Sequence, residues 1–384
     1  MRAPHCRGTR TSPTSRPTTR STTRSPRPPP RRRTEPVRSR RVLLAVVAAV
    51  LLALGATATA SAGGSALPAT LQWSSSGPLI APQPDATHPV VSVKDPSVVR
   101  YKGKWYVFAT TADTSGGWSL VQMSFTDWSQ AGSAHQTPLD TTAIGKGYRA
   151  APQIFYFAPE KTWYLVYQTG VPSYSTTKNI DDPTSWSAPK NFQDAMPQII
   201  KDNIGNGYWV DFWTVCDEEK CYLFSSDDNG HLYRSETTVK QFPEGFGNTK
   251  IVLQDSKFSL FEASNVYKLK GSDRYLLLNE AIGSDGRRYF RSWTSEGLDG
   301  SWTAYADTED NPFARSTNVT FADGTAWTKD ISHGELVRDG IDQTMQLDPC
   351  RIRFLYQGLD PAASGDYSQL PYRLGLLTQT NAAC

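Results

Sequence analysis

The sequence predicts an all-β fold, and more narrowly a five-bladed β-propeller. Helical periodicity is almost absent from the 384-residue chain, because apolar residues do not recur at the three- and four-residue spacing of an amphipathic helix. Short runs of β-branched and aromatic residues are bounded instead by Gly, Asp, Asn and Pro, which is typical of strands and turns. A hairpin-like pattern also recurs along the chain, and self-similarity of this kind indicates a repeat architecture.

The first copy of the pattern is the clearest. Asp95 and Pro96 open an apolar run that reaches a Lys-Gly-Lys turn at residues 102–104 and returns through the aromatic strand 105–108. Two such runs around a tight turn predict a β-hairpin. Asp95 lies just outside the hydrophobic run, where the end of a strand would expose its carboxylate.

Four further copies follow the first, and the last of them is looser. They open at Ala151, Asp211, Glu262 and His333. Successive openings are 56, 60, 51 and 71 residues apart, so each interval has room for four short strands. A polar-aromatic strand is visible in the later part of several units, at residues 118–120, 232–234 and 289–293. Five units of about four strands predict five blades whose first strands line one channel. A β-sandwich would also contain many short strands, but not a repeating unit of this length.

Residues 1–62 are predicted to be a leader. Residues 1–41 hold 13 Arg and one acidic residue, and the apolar run 42–60 ends in Ala60-Ser61-Ala62. A basic flank, an apolar core and a small-residue end are typical of a secretory signal peptide, so we expect a secreted, extracellular protein. A transmembrane anchor is the alternative, because the run is near the lower length limit for spanning a bilayer. The long basic segment leaves open a true start downstream, at Val37 or Val42.

Residues 63–69 are then expected to form a short spacer, and residues 70–384 the propeller domain. The whole chain has a formal charge of +3 and the leader contributes +12, so the remainder carries −9. A protein without a basic surface is not expected to bind nucleic acid, or a membrane once the leader is cleaved. A monomer is the default expectation.

Four cysteines follow the leader, at Cys216, Cys221, Cys350 and Cys384. An even number in a secreted protein suggests two disulfides. Cys216 and Cys221 flank a predicted hairpin turn and could pair across it, in which case Cys350 and Cys384 would tie the C-terminus to an inner segment. Zinc is the alternative, but a Cys-x4-Cys spacing with no nearby His makes it a poor one.

The opening positions of the five units are where we expect the chemistry. Three carboxylates and one histidine would converge on one channel mouth, and carboxylates are rarely buried without a reason. A single strand-end acid is usually satisfied by backbone N–H groups. Two carboxylates on opposite sides of a pocket are what glycoside hydrolysis requires, and a third acid can raise the pKa of the proton donor by repulsion.

Aromatic side chains near the channel are candidate surfaces for stacking on sugars. They are Trp209, Phe212, Trp213, Tyr356 and Tyr372, although for each residue alone a place in the core is the better explanation. One other motif, Ser226–Gly230, faintly resembles a calcium-binding loop. It lacks the required acid spacing and is better explained as a hairpin turn.

Six stretches resemble glycoside hydrolase family 62, the α-L-arabinofuranosidases of streptomycetes and filamentous fungi. They are residues 85–89, 92–97, 147–153, 206–213, 261–267 and 331–335. The resemblance covers residues 70–384. It implies a five-bladed β-propeller that removes single L-arabinofuranosyl side chains from arabinoxylan or arabinoxylo-oligosaccharides, with inversion of configuration.

The resemblance also implies roles for individual residues. Asp95 would be the general base, Glu262 the general acid, and Asp211 the carboxylate that modulates the pKa of the acid. Lys94 would contact the arabinose, and a structural calcium ion would lie in the channel near His333. Further sugar contacts are expected from Arg291, Tyr356, Gln357, Trp209 and Tyr372, with Arg287 and Arg288 as competitors for the role of Arg291.

Two alternatives to this function stay open at the level of sequence. A related propeller arabinanase or β-xylosidase would share the base and the acid, so only its products would distinguish it. A non-catalytic carbohydrate-binding propeller would tolerate the loss of one acid, and the presence of all three disfavours it.

Overall fold

The computed structural model describes residues 67–322 and 324–384, and it confirms the predicted five-bladed β-propeller. Within these residues, 22 strands form five sheets. The predicted leader, residues 1–62, lies outside the described part of the chain. No helix in that described part is long and apolar enough to span a membrane.

The strands follow the chain from blade to blade with two exceptions: β1 (Trp73–Ser75) belongs to the fifth blade, and β20 (Gln346–Leu347) belongs to the fourth. Blade 1 contains β2 (Val90–Tyr101), β3 (Lys104–Asp113), β4 (Trp118–Phe125) and β5 (Thr137–Pro138). Blade 2 contains β6 (Ala150–Phe157), β7 (Thr162–Gln168), β8 (Pro172–Thr177) and β9 (Lys190–Asn191). Blade 3 contains β10 (Val210–Cys216), β11 (Lys220–Ser226), β12 (His231–Thr238) and β13 (Gly247–Gln254).

The last two blades have five strands each. Blade 4 contains β14 (Glu262–Leu269), β15 (Tyr275–Ile282), β16 (Arg288–Ser295), β17 (Thr303–Ala304) and the added β20 (Gln346–Leu347). Blade 5 contains β18 (Val319–Phe321), β19 (Ser332–Leu336), β21 (Arg353–Gly358), β22 (Arg373–Gln379) and β1. The helix α1 spans Gln198–Asn203, and 3₁₀ turns span Trp128–Ser133, Leu139–Thr141, Ala158–Glu160, Pro183–Ser185, Ser316–Asn318 and Tyr367–Gln369.

The local sequence explains where the hairpins form. In blade 1, Tyr101 pairs with Lys104, and the two residues between them, Lys102 and Gly103, have φ values of 47° and 81°. Positive φ at both central positions defines a type I′ turn, whose twist matches that of the strands it joins. The residues that follow in β3, from Trp105 to Ala112, are all buried, which explains why the apolar run in the sequence located this hairpin correctly.

The innermost strands β2, β6, β10, β14 and β19 contact one another in that order, and β19 contacts β2. Apolar side chains fill the space between neighbouring blades. Phe108 of blade 1 and Trp163 of blade 2 belong to one buried cluster, whereas Val93 of blade 1 and Leu355 of blade 5 belong to another. The ring is therefore stabilised by packing between blades, which holds the ends of the inner strands around one axis.

The N-terminal strand β1 completes the fifth blade. It lies between β22, with which it is antiparallel, and β18, with which it is parallel. The Trp73 indole N–H donates to the Phe313 carbonyl at 2.7 Å. Within the segment predicted to be a spacer, Leu67 packs against the core and the Pro68 carbonyl accepts a hydrogen bond from Tyr305.

Both predicted disulfides are confirmed. Cys216 is bonded to Cys221 across the β10–β11 turn, and Cys350 is bonded to the C-terminal Cys384, 34 residues away. The longer loop restricts the unfolded chain more. It also ties the segment before β21 to the residues that follow β22.

We expect the double variant Cys350→Ser, Cys384→Ser to lose about 4 kcal/mol of unfolding free energy, because the unfolded chain regains the entropy of a 34-residue loop. Urea unfolding with and without the substitutions measures the difference. A variant as stable as the parent protein would contradict the prediction.

Candidate active site

A cavity of about 760 Å³ opens at one end of the channel. Its size suits a small carbohydrate, since ligand pockets typically span about 300–1,000 Å³. The lining combines acids, cations and aromatic rings. Asp95, Asp211, Asp228, Glu262, Lys94, Arg288, His333, Trp118, Tyr148, Tyr208, Trp209, Phe261 and Tyr367 all contribute. The three carboxylates singled out in the sequence therefore line one cavity.

Asp95 and Asp211 owe their position to a bulge that recurs in the inner strands. Asp95, Ala151, Asp211 and Ala263 have φ values of 49°, 50°, 57° and 57°, each at a shift in strand register. Residues other than glycine rarely adopt positive φ. Four occurrences at equivalent places therefore mark a shared backbone feature. In β19, His333 occupies the corresponding irregularity.

The prediction that Glu262 is equivalent to Asp95 is wrong by one residue. Ala263 has the left-handed conformation, and Glu262 is the last paired residue before the bulge, as Lys94 is in β2. Comparison of the sequence repeats aligned Asp95 with Glu262, the nearest acid. In the structure, the residue equivalent to Asp95 is Ala263. Glu262 and Asp95 therefore enter the cavity from non-equivalent backbone positions.

His333 lies beside two of the acids. Its Nδ1 is 3.4 Å from Asp95 Oδ1 and 3.7 Å from Asp211 Oδ2. Burial disfavours the imidazolium, but the negative charges of Asp211, Asp95, Glu280 and Glu262 together outweigh it and raise the pKa of His333. Burial also raises the pKa of Asp211, although His333 and the Ala263 N–H, which donates to Oδ2 at 2.8 Å, oppose that rise. The negative charges of Glu262 and Asp95 add to it. This cluster thus favours a protonated histidine between carboxyl groups.

Glu262 is held by a guanidinium. Arg288 Nη1 lies 2.5 Å from Glu262 Oε1 and 2.5 Å from Glu280 Oε1. Glu280 is fully buried and accepts hydrogen bonds from the His333 N–H at 2.6 Å and the Ser332 hydroxyl at 3.1 Å. Charge-assisted hydrogen bonds of this kind fix the orientation of a carboxyl group. Arg288 therefore bridges Glu262, which lines the cavity, and Glu280, which is buried behind it. This bridge fixes the orientation of Glu262.

Lys94 is held among aromatic rings. It is 2% exposed, and its Nζ donates to the Tyr367 hydroxyl at 3.1 Å. The ammonium lies 4.0 Å from the ring centroid of Trp118 and 4.3 Å from that of Tyr367, within the range of cation–π attraction. The ring centroid of Tyr372 is 5.3 Å from the Lys94 ammonium, and Tyr372 lies outside the cavity lining. Lys94 therefore presents a fixed positive donor on the cavity wall.

Two further predicted residues lie at or behind the cavity. Trp209 lines it, with the indole N–H donating to Ser225 Oγ at 2.9 Å. Gln357 is buried behind Asp95, where its Oε1 accepts the Asp95 N–H at 2.7 Å and its Nε2 donates to Ser332 Oγ at 3.0 Å. Gln357 is thus placed to hold the backbone of Asp95 in its left-handed conformation.

The structure does not bring Arg291 or Tyr356 to the cavity. Arg291 Nη1 binds Asp255 at 2.8 Å and its side chain is largely buried away from the channel mouth. Tyr356 is fully buried, with its hydroxyl 2.8 Å from Ser75 Oγ. Neither Arg291 nor Tyr356 is therefore placed to contact a sugar in this cavity, contrary to the prediction from the sequence. Arg288, the competing candidate, occupies the place expected of Arg291.

Several lining residues were not predicted. Tyr148, Tyr208 and Tyr367 are 42%, 71% and 42% exposed and border the cavity. Tyr148 and Tyr208 lie inside stretches on which the family resemblance rests, which was a usable signal. Tyr367 lies on a loop with no repeated pattern, and Asp228 lies in the turn that was assigned only a structural role.

A much smaller cavity of about 10 Å³ lies deeper in the channel and shares Asp211 and His333 with the large one. That volume is close to what one water-sized occupant needs. Asn265 on its wall has a buried Oδ1 with no hydrogen-bond partner. Amide oxygens are ligands that Ca²⁺ accepts, so Asn265 fits an ion otherwise surrounded by water. His333 would join it only as the neutral imidazole, because both ring nitrogens of the imidazolium carry protons. No group of three or more His, Cys, Asp or Glu side chains in the described ranges is arranged to hold a metal.

Comparison with known proteins agrees with this geometry. A model of glycosyl hydrolase family 62 matches residues 72–378. The curated protein named alpha-L-arabinofuranosidase C of Cellvibrio japonicus is 44% identical over 315 residues. That match covers 81% of this chain and 47% of the relative, so the chain spans about half the length of the relative.

Solved structures are similar over their whole length. The catalytic domain of a Coprinopsis cinerea family 62 α-L-arabinofuranosidase is 60% identical, with a TM-score of 0.81, covering 83% of this chain and 100% of that one. The Podospora anserina α-L-arabinofuranosidase in complex with cellotriose is 53% identical, with a TM-score of 0.80, covering 83% and 99%. A family 62 hydrolase in complex with xylotriose is 52% identical, with a TM-score of 0.78, covering 81% and 98%.

Proposed function

Because the chain belongs to glycosyl hydrolase family 62, whose model matches residues 72–378, we propose that it is a secreted α-L-arabinofuranosidase. It releases L-arabinofuranosyl side chains from arabinoxylan and arabinoxylo-oligosaccharides. The observation that carries the proposal is the presence of Asp95, Asp211 and Glu262 in one sugar-sized cavity. The name of the Cellvibrio japonicus relative and the xylotriose in a related hydrolase support the reaction and the backbone sugar.

The proposed reaction is a single displacement. Glu262 gives a proton to the glycosidic oxygen as the bond to the arabinose breaks, and Asp95 takes a proton from the water that attacks the opposite face of the ring. The configuration at the anomeric carbon is therefore inverted. Asp211, which lines the same cavity, is the carboxylate proposed to assist the acid.

The other residues bind and orient. The ammonium of Lys94 donates to a hydroxyl of the arabinose, and Arg288 orients Glu262 through the 2.5 Å contact. The exposed rings of Tyr148, Tyr208 and Tyr367 form the rim, where they stack on the xylose units of the backbone. These roles take the place of those predicted for Arg291 and Tyr356.

A calcium ion in the small channel cavity is part of the proposal. The amide oxygen of Asn265 would hold it, with His333 as a ligand once it has lost its proton, and the bound ion would supply a positive charge near Asp95 and Asp211 in place of the imidazolium. Adding Ca²⁺ to protein treated with a chelator is then expected to raise the melting temperature, because the ion binds only the folded chain. An unchanged melting temperature across a Ca²⁺ titration would remove the ion from the proposal.

Incubation with wheat arabinoxylan tests the function. Free arabinose, formed first as the β-anomer by NMR, is the expected product of inversion from an α-linked side chain. Oligosaccharides from linear arabinan, or xylose from β-xylosides, would identify one of the related propeller hydrolases instead. Binding to arabinoxylan without any released sugar would indicate the non-catalytic alternative.

A further inference from the structure

Another cavity, of about 520 Å³, lies at the junction of blades 1 and 5, where it is lined by Arg100 of β2 and Arg353 of β21. Arg100 follows Asp95 by five residues on β2, and a strand rises about 3.3 Å per residue, so Arg100 lies roughly 16 Å along the strand from Asp95. The cavity shares no lining residue with the candidate active site. It therefore lies toward the opposite end of the inner strands.

Trp105 holds both of these guanidinium groups. Cζ of Arg100 lies 5.3 Å from the centroid of the Trp105 ring and Cζ of Arg353 lies 5.1 Å from it, both within the range of cation–π attraction. Arg100 is paired with Trp105 across β2 and β3, whereas Arg353 reaches the ring from blade 5. The packing of the two blades thus brings two like charges to one aromatic ring.

The protein supplies no counterion for these two cations. The other charged groups on the cavity wall are paired: Arg338 with Glu335 at 2.8 Å, Arg351 with Asp348 at 2.6 Å, and Asp339 with Lys270. Arg100 and Arg353 form no ion pair or side-chain hydrogen bond with any residue of the described ranges. Burial lowers the pKa of Arg353, and the positive charge of Arg100 adds to that effect. The cavity therefore holds two unneutralised cations, although residues 63–384 carry a formal charge of −9.

A polar side chain on the same wall also lacks a partner. The amide nitrogen and the amide oxygen of Gln379, at the end of β22, are both buried, and neither has a hydrogen-bond partner. Buried polar groups are usually satisfied, because an unmade hydrogen bond is costly. The neighbouring Thr378 is exposed and adds a hydroxyl group to the lining. An occupant with hydroxyl groups of its own would supply partners to both side chains.

These groups define the chemistry of the occupant. Guanidinium groups bind carboxylate, phosphate and sulfate through charge-assisted hydrogen bonds, often two at a time. An inorganic ion would fill only a small part of a cavity of about 520 Å³, whereas a sugar ring suits this size. A sugar acid combines the carboxylate that two arginines require with hydroxyl groups for the amide.

We propose that this cavity binds a uronic acid residue of an acidic polysaccharide, with Arg100 and Arg353 holding its carboxylate. For the proposed activity, the polymer of matching chemistry is a xylan that carries uronic acid side groups. The site attaches the protein to such a polymer at a face away from the cavity in which arabinose is released. The inference goes beyond the proposed function, because binding at this site requires no turnover.

Calorimetric titration with two forms of one polymer tests the site. The first is soluble glucuronoxylan, and the second is the same glucuronoxylan after reduction of its carboxyl groups to alcohols. We expect the parent protein to bind the acidic form about tenfold more tightly or better, because charge-assisted hydrogen bonds to two guanidinium groups are lost on reduction. The negative charge of the protein as a whole favours the opposite order, so equal affinity for the two forms would overturn the proposal.

Removal of the two arginines is expected to abolish the preference. The double variant Arg100→Gln, Arg353→Gln should bind both forms of the polymer equally. Arg100→Gln alone, at an exposed position where the fold tolerates the change, should lose about threefold or more in affinity for the acidic form. A double variant that keeps the tenfold preference while folded, as its melting temperature shows, would place the carboxylate elsewhere.

A matched control removes the same charge from another part of the surface. Lys190 on β9 and Lys250 on β13 are exposed and lie outside the cavity lining. The double variant Lys190→Gln, Lys250→Gln is expected to keep the preference of the parent protein for glucuronoxylan. An equal loss in this control would mean that the polymer responds to the overall charge of the protein and not to a site.

Competition identifies the source of the anion. D-Glucuronate is expected to displace glucuronoxylan from the parent protein at concentrations at which D-glucose does not. Inorganic phosphate, compared at equal ionic strength, is expected to compete less well, because it makes no contact with the sugar-sized remainder of the cavity. Phosphate that competes better than glucuronate would show that the site binds simple oxyanions, which overturns the assignment to a sugar acid.

Activity is a separate readout. On an aryl arabinofuranoside, which has no uronic acid, the Arg100, Arg353 double variant is expected to act within about twofold of the parent protein. A parent protein that prefers the acidic polymer but releases no arabinose would overturn the proposed function and leave the inference standing. A parent protein that releases arabinose without this preference would overturn the inference alone.

Discussion

A protein with glutamine in place of Glu262 is expected to lose arabinose release from arabinoxylan, with kcat reduced by about 100- to 10,000-fold. Glutamine has the same shape, and its amide oxygen can still accept from Arg288, which lies 2.5 Å from Glu262 Oε1 in the parent protein. It has no proton to give to the leaving oxygen. Initial rates of arabinose release measure the loss, and thermal unfolding checks the fold.

Asp95→Asn is the matched comparison for this prediction. Asparagine tolerates the left-handed φ of 49° at this position, and the backbone N–H keeps its hydrogen bond to Gln357. The base is lost for every substrate, so this variant should be slow even on an aryl arabinofuranoside, whereas the Glu262 variant should retain activity there. Near-parental rates on arabinoxylan in either variant would remove that residue from the catalytic pair.

The second large effect is on stability. Glu335 and Arg338 form a fully buried ion pair at 2.8 Å in blade 5. Glu335 also accepts the Ser97 hydroxyl of blade 1, and Arg338 donates to the Ile154 carbonyl of blade 2 at 2.6 Å. Removing one partner of such a pair leaves the other charge buried and unpaired. Glu335→Ala is therefore expected to cost about 3–5 kcal/mol of unfolding free energy.

The exposed pair Lys104–Asp181 is the control. It is as short, at 2.9 Å, but both side chains are more than 40% exposed. Solvent screens such a pair, so Lys104→Ala is expected to cost no more than about 1 kcal/mol. Urea unfolding of both variants gives the comparison. A loss in the Glu335 variant no larger than in the Lys104 variant would show that the buried pair does not stabilise the junction of the blades.

The fold could be predicted from the sequence because most of it is local. Each inner hairpin, such as β2 and β3 around Lys102 and Gly103, has its own alternation and its own turn residues. The fifth blade was located only in part. Its strand β1 has three residues and pairs with a strand about 300 residues away. Pairing between residues so far apart in the sequence results from closure of the ring, and short-range sequence patterns do not predict it.

The sequence was sufficient to predict the acidic residues of the site, but it predicted the surrounding cationic and aromatic residues less well. Asp95 and Asp211 follow the repeat, but the bulge that places them is a backbone conformation also adopted by alanines, so it leaves no composition signal. Arg288 and Arg291 are three residues apart on one strand, and side chains alternate between the faces of a strand. Only the register assigns Arg288 to the cavity. Tyr367 comes from a loop outside the repeat.

The position of β1 has a consequence for how the chain folds as it is made. Trp73 precedes its partner Gln379 by about 300 residues, so it is synthesised well before that partner. At about 5–20 residues per second, β1 waits roughly 15–60 s for its partner. Until then β22 is missing and the ring is open, with apolar blade faces exposed to solvent. Closure is therefore the last step of assembly, and a chain delayed before it is the form most prone to aggregate.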